Sequence, residues 1–230
     1  MKIAIYGSRR QQPIVGTVSR FLDDLRGRSV EVVMHRKLYD HLRELVPEAV
    51  DGFVSPVDGD DFTADLAVSL GGDGTFLRTA VWVGQKQIPI VGVNTGHLGY
   101  LAALSVDQLP SLLDFISSDR LRIESRSMLQ VTAPELPAGF SPLALNEVAV
   151  AKDQNASMII ADVSIGSQPL TEYRADGLLM CTSTGSTAYN LSVGGPIVDP
   201  TLEVWVLSPV AAHSLSMRPL VIGSDRPVTI

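Results

Sequence analysis

The stretch Ser69-Leu70-Gly71-Gly72-Asp73-Gly74-Thr75-Phe76-Leu77 decides the fold of the first half of the chain. An apolar strand predicted over Leu66–Leu70 runs into three glycines and an aspartate, and a helix is predicted to follow Thr75. In an open α/β sheet, ligands bind outside the carboxyl ends of the strands, where glycines let the backbone approach a phosphate and expose its amide donors. The stretch therefore predicts a phosphate-binding strand, loop and helix.

Asp73 needs an explanation of its own, because a carboxylate by itself repels phosphate. It could accept the proton of an attacking hydroxyl, or it could hold a magnesium ion that neutralises the phosphates. A plainer interpretation is a tight turn in which Asp73 caps the helix, which explains a bare Gly-Asp-Gly equally well. The full string Gly71–Thr75 resembles a signature shared by NAD kinases, diacylglycerol-type lipid kinases and, in a serine variant, phosphofructokinases. This resemblance favours phosphoryl transfer without naming the acceptor.

On both sides of this loop, short apolar runs typical of strands alternate with segments whose apolar residues have helical spacing. Strands are predicted at residues 2–6, 30–34, 66–70 and 90–93, and helices at residues 13–25, 38–46, after Thr75 and at 106–116. Such alternation predicts a parallel sheet with helices on both faces. We therefore expect a Rossmann-like α/β domain over residues 1–120.

The second half of the chain has a different sequence pattern. Strand-like runs at residues 121–133, 143–151, 158–165 and 203–207 are separated by turns rich in Pro, Gly and Asn. They predict a mostly-β, sandwich-like domain over residues 121–230. Because the final residues Val228-Thr229-Ile230 end within a strand-like run, we expect this domain to be truncated at its carboxyl end.

Composition excludes several classes of partner. The 230 residues carry a net charge of −7, so a broad cationic surface for nucleic acid is not expected. The single cysteine, Cys181, rules out an internal disulfide framework or a multi-cysteine metal site and suits a reducing compartment. No run approaches the roughly 20 apolar residues of a membrane span. The sequence thus predicts a cytoplasmic protein without a membrane partner.

Two common nucleotide-binding motifs are missing. Gly7 leads into Ser8-Arg9-Arg10-Gln11-Gln12, so no GxGxxG follows the first strand, and no GxxxxGK[ST] occurs. A dehydrogenase or a P-loop enzyme would lack its defining loop.

Three further segments are candidates for nucleoside binding. Val91-Gly92-Val93-Asn94-Thr95-Gly96-His97-Leu98-Gly99-Tyr100-Leu101 follows a strand and offers Tyr100 to a purine ring, although it could be a loop packed over the sheet edge. Asn146-Glu147 could hydrogen-bond a nucleoside or be an exposed edge pair. Tyr173-Arg174-Ala175-Asp176-Gly177-Leu178 precedes a hydroxyl-rich run from Thr182 to Pro196, which suits phosphate or ribose, or a capped helix.

Together these segments resemble the NAD kinase family, because GGDGT, NTGHLGY, NE and DGLxxxTxTGSTAYNLSxGGP occur here in that family's order. The resemblance implies that Asp73 is the catalytic proton acceptor. It assigns no metal ligand, and it implies that the residues binding NAD or the phosphoryl donor are the following: Gly72, Asp73, Gly74, Thr75, Leu98, Tyr100, Asn146, Glu147, Arg174, Asp176, Thr184, Thr187, Ala188, Tyr189, Asn190, Leu191 and Ser192.

The same resemblance implies the reaction. A phosphoryl group passes from ATP or polyphosphate to the adenosine-ribose 2′-hydroxyl of NAD and makes NADP, with a divalent cation, most simply Mg²⁺. Members form homodimers or homotetramers, and a neighbouring subunit can supply pocket residues. Two alternatives stay open at this point: a lipid kinase of the diacylglycerol or sphingosine type, which shares the glycine string, and a non-catalytic NAD-binding sensor.

Overall fold

The computed structural model describes residues 1–7, 15–96, 99–118 and 122–230. The chain divides into two compact units, Met1–Ile123 and Glu124–Ile230. Each unit has its own sheets and its own hydrophobic core.

The first unit is built on a six-stranded parallel sheet with the order β3-β2-β1-β4-β5-β6. Its strands are β1 (Lys2–Gly7), β2 (Glu31–His35), β3 (Val54–Val57), β4 (Leu66–Leu70), β5 (Ile90–Asn94) and β6 (Leu104–Ser105). The chain moves outward from β1 to β3 and then returns to place β4 on the other side of β1. The loop after β4 therefore lies beside the point where the winding reverses, which is where α/β sheets bind ligands.

Helices cover both faces of this sheet. They are α1 (Val15–Gly27), α2 (Arg36–Leu45), α3 (Pro47–Val50), α4 (Asp73–Val83) and α5 (Leu112–Ser117), with 3₁₀ turns at Gly84–Lys86 and Val106–Ser111. On one face, Phe21, Leu22 and Leu25 of α1 are fully buried against strand residues such as Ile5. On the other face, Trp82 of α4 packs in a second cluster. This burial explains the three- and four-residue apolar spacing of the helices.

Two helix predictions differ from the structure in their bounds. The helix predicted over residues 106–116 is a 3₁₀ turn followed by α5, because Pro110 lies inside it and cannot continue an α-helical ladder. The helix predicted after Thr75 begins two residues earlier, at Asp73, with Gly72 as its N-cap. The outer strands β3 and β6 were not predicted, since both are short.

The second unit consists of antiparallel sheets. A four-stranded sheet has the order β14-β13-β12-β9, a three-stranded sheet has the order β11-β10-β15, and β7 pairs with β8. The strands are β7 (Leu129–Gln130), β8 (Leu143–Ala144), β9 (Glu147–Ala151), β10 (Ile159–Ile165), β11 (Gln168–Ala175), β12 (Gly177–Thr182), β13 (Val204–Val210), β14 (Leu220–Gly223) and β15 (Val228–Thr229).

The two larger sheets of this unit share a core. Ala161, Val163 and Tyr173 of the three-stranded sheet are buried against Leu178 and Leu207 of the four-stranded sheet. After β12 the chain forms a 3₁₀ turn, Thr184–Thr187, and a one-turn helix, α6 (Tyr189–Ser192). The predicted fold class, a Rossmann-like parallel-sheet domain followed by a sandwich-like β domain, is thus confirmed. Across the described ranges, no helix is both long enough and apolar enough to cross a membrane.

Candidate functional site

The three glycines of the loop have different roles: Gly71 is required by the backbone conformation, whereas Gly72 and Gly74 have free space around them. Gly71 has a φ of 152°, and a Cβ there would press into the Thr75 side chain, so only glycine fits. Thr75 itself is buried, and its Oγ1 accepts a hydrogen bond from Arg78. A Cβ at Gly72 or at Gly74 would meet nothing within 4 Å. The loop therefore presents bare backbone at both positions, with room for a ligand to approach it.

Asp73 joins this loop to the segment that follows β5. Its Oδ2 accepts the backbone N–H of Tyr100 at 2.8 Å, and its Oδ1 accepts those of Leu101 at 3.0 Å and Ala102 at 3.4 Å. A Cβ at Gly99 would overlap the same carboxylate. Asp73 is therefore not the cap of α4, whose N-cap is Gly72 without a side-chain bond. Its carboxylate is anchored on the neighbouring loop instead.

Tyr100 combines a fixed backbone with a free ring. Its N–H is bound to Asp73, while 70% of the residue's surface is exposed. An exposed aromatic ring on an anchored backbone can stack on a planar base. The predicted contact of Leu98 lies outside the described residues and stays a prediction.

Within residues 1–7, 15–96, 99–118 and 122–230, no group of three or more His, Cys, Asp or Glu side chains is placed to hold a metal ion. Magnesium commonly reaches such sites on the phosphates of its substrate and needs only one or two protein carboxylates. The residues present therefore fit a magnesium ion that arrives with the phosphoryl donor.

In the second unit, the Asn146-Glu147 pair lies against the hydroxyl-rich run. The Asn146 carbonyl accepts the N–H of Thr182 at 2.9 Å, and the Thr182 hydroxyl donates to the Leu145 carbonyl at 2.6 Å. Gly185 packs so tightly on the Asn146 backbone that no Cβ fits there. These contacts bring two segments together that are nearly 40 residues apart in sequence. Thr182 was not predicted as a site residue, although the run of hydroxyls containing it was.

One carboxylate oxygen of Glu147 receives no hydrogen bond from the described residues. Burial raises the pKa of its carboxyl, and the backbone N–H of Tyr189 opposes that shift by donating to the carboxylate. Its Oε2 is buried, and none of the described residues donates a hydrogen bond to it. A buried acceptor without a partner is costly unless a ligand or water supplies a donor. Burial, and to a smaller extent the negative charge of Glu147, raises the pKa of the neighbouring Cys181 thiol to about 12.

The hydroxyl-rich run divides into a buried and an accessible part. Thr184 and Ser186 are buried, and Ser186 Oγ both donates to the Val198 carbonyl and accepts the Val198 N–H. The Ser186 hydroxyl therefore serves the fold. Neither Thr184 nor Ser186 is a helix cap, because the N-caps of the 3₁₀ turn and of α6 are Ser183 and Ala188, each without a side-chain cap hydrogen bond. The remaining predicted residues are partly or largely exposed and can meet a ligand: Thr187, Ala188, Tyr189, Leu191 and Ser192.

Asn190 differs from its neighbours in α6. It is fully buried, and its Nδ2 donates to the carbonyls of Ser186 and Pro196, each at 3.0 Å. Its Oδ1 accepts the Ser208 hydroxyl at 2.7 Å. The side chain thus has no donor left for NAD, and its observed role is to tie the run to β13. Any contribution of Asn190 to binding is left to its backbone.

Arg174 and Asp176 lie elsewhere in the same unit. Cys181 pairs with Glu147 and Gly177 pairs with Ala151, so Asp176 stands at the opposite end of β12 from Glu147. At 3.3 Å per residue the separation along the strand is roughly 16 Å. The structure of this unit therefore does not bring all of the predicted nucleoside-binding side chains together.

Asp176 has two basic partners that sequence reasoning did not identify as site residues. Its Oδ1 lies 3.0 Å from Lys152 Nζ and 3.2 Å from His213 Nε2. The hydrogen bond from Lys152, followed by that from His213, lowers the pKa of the Asp176 carboxyl. Arg174 points its Nε to Glu172 at 2.6 Å. No local sequence pattern signals the two partners of Asp176, because strand register and a late loop create those contacts. Arg174 and Glu172, in contrast, are two residues apart on one face of β11.

Comparisons with known proteins agree with this architecture. Residues 7–121 match the family model of the ATP-NAD kinase N-terminal domain, and residues 145–230 match that of the ATP-NAD kinase C-terminal domain. An NAD kinase from Bacteroides fragilis is 40% identical over 233 aligned positions, which span 100% of this chain and 79% of that protein.

Two solved structures have the same fold. Yeast NADH kinase complexed with NADH superposes with a TM-score of 0.85 at 24% identity, over 99% of this chain and 71% of the yeast chain. An NAD kinase from Archaeoglobus fulgidus in complex with ATP superposes with a TM-score of 0.71 at 28% identity, over 99% of this chain and 79% of the archaeal chain.

Proposed function

Because the chain belongs to the NAD kinase family, we propose that it moves a phosphoryl group from ATP or polyphosphate to the adenosine-ribose 2′-hydroxyl of NAD and so makes NADP. The observation that carries this proposal is the Asp73 carboxylate, which three backbone amides fix at the end of β4. It stands beside the point where the winding of the sheet reverses, as expected of a group that acts on a ligand.

The reaction needs one base and accurate positioning. The 2′-hydroxyl oxygen forms a bond to the terminal phosphorus of the donor, while the bond from that phosphorus to the bridging oxygen breaks. ADP, or a polyphosphate one unit shorter, leaves, and Asp73 takes the proton of the hydroxyl. Because the transition state of phosphoryl transfer is loose, the proton departs late and a carboxylate is a sufficient base.

The glycine loop is the proposed contact for the donor phosphates. The open space above Gly72 and Gly74 supports this role, since phosphate oxygens can approach the bare backbone there. A magnesium ion bound to the donor would supply neutralisation of the charge on the phosphates. Thr75 supports the loop from beneath, because its side chain is buried against Gly71.

NAD recognition is proposed for the second unit. The unpaired Oε2 of Glu147 suits a ribose hydroxyl donor, and Asn146 offers both a donor and an acceptor beside it. The exposed side of the run from Thr187 to Ser192 lies next to Glu147 through the Tyr189 amide. Tyr100 would lie against the adenine, and Leu98 would border it, as the family resemblance implies.

Arg174 and Asp176 are proposed to act in a homodimer or homotetramer. The separation of roughly 16 Å along β12 between Asp176 and the position of Glu147 supports a contribution of Asp176 to the pocket of a different subunit. Arg174, near the end of β11, is proposed to act with it. We also propose that the enzyme works in the cytoplasm, in keeping with its single cysteine.

An assay of NADP formation tests the proposal. The purified chain is incubated with NAD, MgCl₂ and either ATP or polyphosphate, and NADP is measured with an NADP-specific dehydrogenase. We expect product with at least one donor and none when EDTA removes the magnesium. Sphingosine and diacylglycerol, offered in place of NAD, should not be phosphorylated. NAD binding without NADP from either donor would contradict the proposal and identify a non-catalytic sensor.

A further inference from the structure

The backbone of residues 99–102 wraps around the Asp73 carboxylate. Three successive amides, those of Tyr100, Leu101 and Ala102, all donate to it. The donors come from main-chain atoms, so substitution of their side chains does not remove them. A short piece of backbone thus determines where this carboxylate lies.

The two carboxylate oxygens are used unequally. An ionised carboxylate oxygen has about two lone-pair sites. Oδ1 accepts two N–H groups, from Leu101 and Ala102, and both of its sites are filled. Oδ2 accepts only the N–H of Tyr100 among the described residues, which leaves one site free. Oδ2 is therefore the oxygen with the capacity to receive a further proton donor.

Gly99 makes this arrangement possible. A Cβ at position 99 would stand within 2.7 Å of Asp73 Cγ and 3.0 Å of Oδ2. The Gly99 backbone has no positive φ, so the requirement for glycine comes from the carboxylate alone. Gly92, in β5, contacts the other end of the segment, and a Cβ at position 92 would stand 2.7 Å from the Ala102 Cα. Gly99 thus lets the segment pack against Asp73, and Gly92 lets it pack against β5.

We infer that residues 99–102 form the positioning element of the proton acceptor, that Gly99 is a positioning residue, and that Oδ2 is the oxygen that takes the 2′-hydroxyl proton. This inference rests on the proposed function, because it assumes that Asp73 is the base. Gly99 touches neither the substrate nor the donor in this mechanism. It acts only because a residue without a Cβ leaves room for the Asp73 carboxylate.

The expected effect follows from the sensitivity of catalysis to position. A displacement of a reacting group by about 1 Å can cost on the order of 10²-fold in rate. The overlap in Gly99→Ala requires the carboxylate, the loop or both to move. We therefore expect kcat to fall by about 10²-fold, while KM for NAD and for ATP stays within about threefold.

The first experiment compares Gly99→Ala with Gly27→Ala. Gly27 is exposed in α1 of the same unit, and a Cβ there meets nothing within 4 Å, so this control should keep the wild-type kcat. A wild-type kcat in a folded Gly99→Ala protein would overturn the inference. So would an equal loss of kcat in both variants, because the effect would then not be specific to position 99.

A double-mutant cycle separates positioning from a merely structural effect. If Gly99 acts through Asp73, Gly99→Ala should lower the residual rate of Asp73→Asn by less than about twofold. Full additivity of the two losses would overturn the inference and leave the proposed function standing. Wild-type turnover in Asp73→Asn alone would instead contradict the proposed role of Asp73 as the base.

Amide hydrogen exchange supplies a measurement that does not depend on the folding of Gly99→Ala. In Asp73→Asn, one oxygen becomes an NH₂ group that cannot accept, so the Tyr100 amide or the Leu101 and Ala102 amides must lose their acceptor. We expect at least one of these three amides to exchange about tenfold faster or more in the variant, with the core strands unchanged. Equal exchange of all three amides in both proteins would show that the contact does not hold the segment, and would overturn the inference.

Discussion

Asp73 Oδ2 accepts the Tyr100 N–H at 2.8 Å, and this bond links two loops across 27 residues of sequence. One loop follows β4 and the other follows β5, and the two strands are neighbours in the parallel sheet. The carboxylate proposed as the base and the ring proposed to lie against adenine thus depend on a common anchor.

The first prediction concerns Asp73→Asn. The substitution preserves the shape of the side chain but removes its ability to take a proton, so kcat should fall by about 10²- to 10⁴-fold. NAD binding, measured by calorimetry, should weaken far less. Asp61→Asn, which removes an exposed carboxylate of the same unit, is the control. Unchanged turnover in Asp73→Asn would remove this residue from the mechanism.

A second prediction concerns Asn190→Asp. The substitution keeps the shape but deletes both N–H donors, leaving the carbonyls of Ser186 and Pro196 without partners in a buried site. The free energy of unfolding should fall by about 3 kcal/mol or more. Equilibrium urea denaturation measures this loss. The same substitution at the exposed Asn155 should change the unfolding free energy by less than about 0.5 kcal/mol. Equal stability of the two variants would contradict a structural role for Asn190.

Glu147→Gln tests the raised pKa of Glu147. Because the folded protein holds this proton more tightly than the unfolded chain, the stabilising contribution is fully present below the ordinary pKa of 4.5. It is lost as pH rises through the raised value. Thermal unfolding at pH 7 should therefore occur at a higher temperature in Glu147→Gln than in the wild type, and the difference should disappear near pH 4. Glu203→Gln, at an exposed position, should unfold at the wild-type temperature at both pH values.

Asp176→Asn should weaken NAD binding without slowing the chemical step. The substitution removes the negative charge between Lys152 and His213. Losing one charge-assisted hydrogen bond to a ligand costs about 1.5–3 kcal/mol, so KM for NAD should rise at least tenfold with kcat within about twofold. Steady-state kinetics measures both constants. Asp162→Asn, on the exposed side of β10, is the control, and a normal KM in Asp176→Asn would exclude this residue from the NAD site.

The sequence predicted the fold well where burial imposes a period. The apolar spacing of α1 and the short apolar runs of β1 and β4 identified the parallel sheet, because both sheet faces are covered. It failed at β11, whose mostly exposed residues carry no run of apolar side chains. That strand is held by pairing with β10 and by the burial of Tyr173 and Ala175 near its end. The sequence reasoning also missed the buried strand β12, and it predicted a strand over residues 122–128, which form none.

The sequence predicted which side chains belong to the site but not the contacts that hold them in place. Asp73 is visible in a sequence because its neighbours form a distinctive string, whereas the amides that hold it belong to every residue except proline. The partners of Asp176 and the burial of Asn190 likewise depend on strand register and on packing between distant segments. Spacing along the chain does not encode these contacts locally.

The burial of Cys181 gives this enzyme a built-in reporter. The chain has one cysteine, it is fully buried, and its thiol has a pKa of about 12, so a disulfide reagent should modify it only when the second unit opens. The modification rate, divided by that of a free thiol, then measures the opening equilibrium of that unit. If NAD binds there, saturating NAD should slow the labelling by the factor that its affinity predicts. Ligand affinity could thus be read from a colour change, without any phosphoryl transfer.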